Sequence, residues 1–212
     1  MKHPKAAFAA LALLLAPALA AASPLTYTFQ THASFFSAES HQPTPLDPQV
    51  FVAANGAEAA SGPQGIIHLG GLRPAPLDAP PSSPVMSAAG KPLGFTLGQW
   101  LAATGTVVVA GPAQRPHLAF SFHSLVPNGK YSLFKNHFAP GLVLFAPLDG
   151  NARTNSFSAD AQGNASISLI ARGPLSHANA ILLVYHSDGK NHGVERGAPG
   201  IEAHHQLIMR FP

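Results

Sequence analysis

The sequence predicts an all-β protein: an antiparallel β-sandwich with one short helix near residues 96–104. Three observations carry this. From Thr106 to the C-terminus, eight short apolar or alternating segments follow one another without a helical interval. The chain holds 19 glycines and 21 prolines while only 10% of its residues are charged, which disfavours long solvated helices and favours many strands joined by turns. It has no cysteine, so its stability must come from a packed core, and about 190 residues are enough to bury one.

In chain order, "MKHPKAAFAALALLLAPALAAASP" has a short basic start, an apolar run from Ala6 to Leu15 and small residues at Ala18, Ala20 and Ala22. It reads as a cleaved secretory signal peptide over residues 1–22, too short to span a bilayer, followed by a single domain over 23–212. The predicted location is therefore periplasmic or secreted, with no transmembrane segment in the mature chain. Lys2 and Lys5 leave with the leader, so ten cations then face nine acids, a net charge of +1. That balance argues against a nucleic-acid partner.

"LTYTFQTHASFF" begins with alternation of Leu25, Tyr27 and Phe29 against Thr26, Thr28 and Gln30, the period of a half-buried strand. Residues 41–92 carry ten prolines between Pro43 and Pro92, broken by the apolar pieces "VFVAA" and "GIIHLGGL". They predict short strands in a loop-dominated region, with a flexible linker as the competing reading. "TLGQWLAATG" predicts the helix: Thr96 as N-cap, Leu97, Trp100 and Leu101 on one face, Gly105 as the stop.

The strand series follows: "TVVVAG", "HLAFSFHSL", "KYSLFKNHF", "GLVLFAP", "SFSADA", "ASISLIA", "AILLVYHS" and "HHQLIMRF". "AILLVY" is apolar on both faces and predicts a central strand; "HLAFSFH" and "ASISLIA" alternate and predict one wet face. "VPNGK", with an Asn128–Gly129 turn, and "DAQGN", with Gly163, read as hairpin connections.

Leu125, Pro127, Tyr131 and Leu133 in "FHSLVPNGKYSLF" resemble a hairpin of fibronectin type III and other Ig-like sandwiches, which implies an Ig-like or related Greek key architecture and no activity. The segment from "GKPLGFTLGQW" to the end also resembles exported bacterial β-sandwich proteins of unassigned function that share a "YHSDG…HG" loop and a histidine-bearing last strand. Copper/zinc superoxide dismutases are similar in being exported, β-rich and histidine-dependent. The His-x-His pair and disulfide of that family are missing here, so that likeness stops at architecture.

Eleven histidines after the leader outnumber the nine acids, and imidazole is a ligand for copper and zinc. The first candidate cluster is His186, Asp188 and His192, a ligand-binding set that becomes a metal set with His204 or His205. These last two neighbours point to opposite faces of a strand, so only one can join. The plain alternative is that Asp188 and Gly189 make a turn and His186 caps a strand. His117 and His123 share a face but lie about 20 Å apart, too far for one ion; His137 needs a tertiary partner.

Tyr131, Phe134 and Phe138 are candidates for stacking on carbohydrate, with core packing as the alternative. No GxSxG elbow or facing carboxylate pair nominates a catalytic centre. The leading reading is a non-enzymatic exported sandwich that binds a small ligand or envelope partner. The second is a copper- or zinc-binding metalloprotein, and the third an extracellular hydrolase.

Overall fold

A computed structural model describes residues 23–212; the leader expected over 1–22 lies outside the described residues. The chain runs β1 (Leu25–Thr28), β2 (Gln30–Thr31), α1 (His32–Glu39), β3 (Leu46–Ala53), β4 (Ala60–Ser61), β5 (Ile67–His68), β6 (Leu72–Pro76), β7 (Pro84–Met86) and β8 (Pro92–Thr96). Then come α2 (Leu97–Leu101), β9 (Thr104–Ala110), β10 (His117–His123), β11 (Lys130–Ala139), β12 (Leu142–Pro147), β13 (Ser156–Ser158), β14 (Ala165–Ile170), β15 (Asn179–His186) and β16 (Ala203–Arg210). The all-β class holds, and each of the eight segments after Thr106 contains a strand.

Every strand pairing is antiparallel. One sheet has the order β1-β9-β10-β14; a second runs β12-β11-β15-β16-β2, with β13 also on β11. Leu118, Phe120 and Phe122 of β10 point inward while His117, Ala119, Ser121 and His123 face solvent, as their alternation requires. Across the core, Phe122 stacks on Phe157, Phe157 on Tyr131, and Tyr131 lies against Tyr185, an aromatic path from one sheet to the other. Burying each such ring contributes about 1.5–3 kcal/mol.

β15 lies in the middle of its sheet and is buried along its whole length. Ile181, Leu183 and Tyr185 join the main core. Ala180, Leu182 and Val184 face the other way, into a second apolar cluster with Phe134, Ala203 and Ile208. The doubly apolar "AILLVY" has this cause: each face needs its own cover.

Residues 41–92 are not a flexible linker. Strands β6-β3-β7-β8 form a third sheet, and Val50, Val52, Ala75 and Val85 enter the main core. β3 is irregular: its register with β6 jumps between Asp47 and Phe51. There the fully buried Asp47 carboxylate accepts hydrogen bonds from Trp100 Nε1 at 2.8 Å, Gln49 N at 2.8 Å and Val50 N at 3.2 Å. Burial pushes its pKa up to about 6 against these bonds.

The short helix near 96–104 is α2, with a capping box in which Thr96 and Gln99 each bond the other's backbone N–H. It ends before Gly105, which instead lies in β9 under the Phe122 ring; a Cβ there would come 2.5 Å from that ring. A second helix, α1, precedes α2 in the chain, with the Thr31 side chain accepting from Ser34 N.

The two expected hairpins are corrected as well. "VPNGK" joins β10 to β11 and "DAQGN" joins β13 to β14, and each pair lies in different sheets. Gly129 N donates to Val126 O, so Pro127 and Asn128 occupy the centre of the first turn, with Asn128 at φ 58°. Tyr131 Oη accepts from Val126 N at 2.9 Å, pinning this corner as a tyrosine corner does.

The last strand carries a bulge. Leu183 pairs with Leu207 and Val184 with His205, so Gln206 is an extra residue. Beyond it the alternation inverts: Leu207 and Met209 belong to the main core, whereas Ala203 belongs to the second cluster on the opposite face.

Candidate functional site

His186, His204 and His205 divide between the two faces of the second sheet. His186, at the end of β15, approaches Ser132 Oγ at 3.0 Å through Nε2. Its ring centroid is 4.8 Å from that of His192. His192 Nε2 donates to Asp188 Oδ2 at 2.8 Å, and Asp188 also accepts from Lys190 N at 3.1 Å. Burial pushes the Asp188 carboxyl up, but bonds from His192 and Lys190 outweigh it and hold it below the usual range. Gly189 takes φ 74° to close the turn. The sequence cluster is thus assembled and largely satisfied from within, although His186 Nδ1 is buried without a partner. Burial holds His186 down to about 4.

His204 and His205 do not complete this set as a metal centre. His204 points to the inner face, where Nδ1–H donates to Gln49 O at 2.9 Å, leaving Nε2 3.2 Å from Ser187 Oγ. The Ser187 hydroxyl also reaches Ile201 O at 3.2 Å and Glu202 O at 3.5 Å, so its one proton has three acceptors. Burial holds His204 down to about 4. Among the described residues, no group of three or more His, Asp or Glu side chains is disposed to hold a metal ion. His117 and His123 stand on the exposed face of β10, and His137 meets Asn179 Nδ2 at 3.3 Å.

His205 lies on the outer face with different neighbours. Gln49 Oε1 accepts from His205 N at 2.9 Å. A backbone N–H only donates, so this bond fixes the orientation of the amide, and Gln49 Nε2 is the donor facing His205 Nδ1 at 3.0 Å and Gln64 Oε1 at 2.7 Å. Nδ1 therefore accepts, and Nε2 carries the hydrogen of the neutral ring. Yet 3.0 Å from Nε2 stands Arg196 Nη1, which has no lone pair. Burial, with His32 and Arg196 nearby, keeps His205 well below its ordinary pKa.

These groups form the floor of a cavity of about 810 Å³. Phe35 and His32 of α1, Phe138 of β11, Val143 and Phe145 of β12 and Ile208 of β16 line it. The Arg196 guanidinium sits 3.6 Å over the Phe145 ring. His32 meets His205 edge-on at 4.8 Å, is buried with Nδ1 unpartnered, and is held down to about 3 by burial, with Arg196 adding to the effect. Asn136, also lining the cavity, has its Oδ1 buried and unpartnered.

Compared with protein-family models, curated proteins and solved structures, the chain gives no match. Of the sequence candidates, the structure joins His186, Asp188 and His192, separates His204 to the inner face, and delivers His205 to the cavity. Of the aromatic candidates, Tyr131 and Phe134 are core residues, and only the half-buried Phe138 meets the cavity. Sequence reasoning missed His32, Gln49, Asn136, Phe145 and Arg196. Gln49 stands beside an apolar run, a weak cue, while Arg196 in "VERGAPG" carried none.

Proposed function

We propose that this protein is an exported, non-catalytic β-sandwich that binds a small apolar ligand in the cavity between α1, the β11–β12 hairpin and β16. The observation carrying this reading is the cavity itself: aromatic and aliphatic walls around a floor of buried polar groups whose bonding capacity is unspent. Ligand sites characteristically combine such walls with a few placed polar groups, at volumes of about 300–1,000 Å³. Exposed Ile67, Val143 and Ile201 stand at the rim and extend the apolar surface outward. Among the described residues no helix is long and apolar enough to cross a membrane. Export remains part of the proposal on the strength of the leader, and N-terminal sequencing of protein recovered outside the cytoplasm would test it.

The neutral fluorescent probe N-phenyl-1-naphthylamine tests the cavity. It should bind the wild-type protein with enhanced emission, and Val143→Trp, which fills the mouth from an edge strand, should weaken binding by about tenfold. Absence of probe binding, or equal binding to a folded Val143→Trp variant, would remove the reading.

A further inference from the structure

The floor of the cavity holds an excess of donors. The bond to His205 N fixes the Gln49 amide, the amide fixes Nδ1 of His205 as an acceptor, and Nε2–H is left pointing at a guanidinium. Two donors 3.0 Å apart repel unless an acceptor lies against both. Among the described residues none does. The ion pairs there are His192 with Asp188 and Arg210 with Glu39; Arg196 is in neither. It is a partly buried cation without a carboxylate, a costly state for a protein to maintain.

From this geometry we infer that the cavity takes a monoanionic amphiphile, a carboxylic acid with an apolar body, whose head group accepts from Arg196 and from His205 Nε2–H while its body lies along Phe35, Phe138, Val143 and Phe145. The inference rests on the ligand-binding reading above and names the ligand class for the same site. The planar fork of arginine matches a carboxylate, and charge-assisted bonds of this kind are about twice as strong as neutral ones. One formal charge is the right number. Arg196 is the single full cation on the floor, since burial keeps His32 and His205 neutral near pH 7, and Glu39 on the cavity wall is already paired with Arg210. Phe145 holds the guanidinium in place from its other side.

Titration calorimetry of decanoate and 1-decanol against the purified protein tests this, with the two probes matched in chain and differing in head group. Wild type should bind decanoate at least about tenfold more tightly than decanol. Arg196→Gln should erase that gap by weakening decanoate alone, and Arg196→Lys, which keeps the charge and loses the fork, should restore part of it. Equal affinity of wild type for the two probes, or a preference for decanol, would overturn the head-group assignment and leave the cavity reading standing. A gap that persists in folded Arg196→Gln would overturn the role of Arg196. No binding of either probe would remove the acid and the cavity reading together.

Discussion

The His186–Asp188–His192 cluster and the His32–His205–Arg196 floor are built from similar residues and end in different states. The first comes from the end of β15 and the loop after it, and most of its groups are answered: His192 donates to Asp188, Asp188 takes the Lys190 amide, His186 Nε2 meets Ser132 of β11, and only His186 Nδ1 is left over. The second is assembled from α1, a loop and the last strand, with Gln49 of β3 behind it, and is left with an unpaired guanidinium, an orphaned imidazole nitrogen and two donors face to face. Residues close in sequence find each other as the loop forms. Groups brought in by separate elements are held by packing, and packing can hold them with bonds unmade.

The largest test of that difference is acid. An unfolded imidazole titrates near 6.5, while in the fold burial holds His32 to about 3, His186 and His204 to about 4, and His205 well below its ordinary value. The unfolded chain therefore takes up protons first: stability is complete above about pH 6.5 and is lost as pH falls toward 4. Asp47 works the other way, because its raised pKa lets the folded state take a proton first between about 6 and 4. Four groups against one give a net loss of more than about 5 kcal/mol at pH 4.5, on the scale of a whole domain's stability. Urea unfolding followed at pH 7, 6, 5 and 4.5 should show this slope, and His32→Phe should remove about a third of it. A flat profile would mean that these rings are not held neutral by burial.

Single substitutions sharpen the contrast. Gln49→Leu strips acceptor and donor from buried His205 and should cost about 2–4 kcal/mol in thermal or urea unfolding. His192→Ala, in the partly exposed cluster, should cost less than about 1 kcal/mol. The smallest effect concerns metal: Zn²⁺ or Cu²⁺ should raise the melting temperature of wild type no more than that of the His186→Ala/His192→Ala double variant. A selective gain in wild type would restore the metalloprotein alternative.

Much of the architecture was legible. Period-two alternation in "HLAFSFH" and the doubly apolar "AILLVY" report burial directly, and Thr96 as N-cap before Leu97, Trp100 and Leu101 marks α2. α1 was hidden because "HASFFSAE" has no amphipathic stripe and follows a strand-like alternation without a break; its Thr31 cap was the only cue. The third sheet was hidden because β3 carries a proline and buries Asp47 and Gln49, which on composition alone belong outside. The site was legible where it was local: the proximity of His186, Asp188 and His192 in the loop reports a real cluster. The cavity floor was not, because Glu195 beside Arg196 suggests a solvated charge pair, and nothing in one dimension says that Arg196 instead lies over Phe145 beside a histidine of the last strand.

The extra residue at Gln206 gives the last strand two independent halves. A change at His205 is felt in the cavity, whereas a change at Leu207 or Met209 is felt in the main core, and the bulge lies between them. An unbroken strand would set both ends to one alternation, so that moving a binding residue across the sheet would drag the packing residues with it. Here the bulge lets His205 and Ile208 both reach the cavity while Leu207 and Met209 keep to the main core, a combination that one unbroken alternation would forbid.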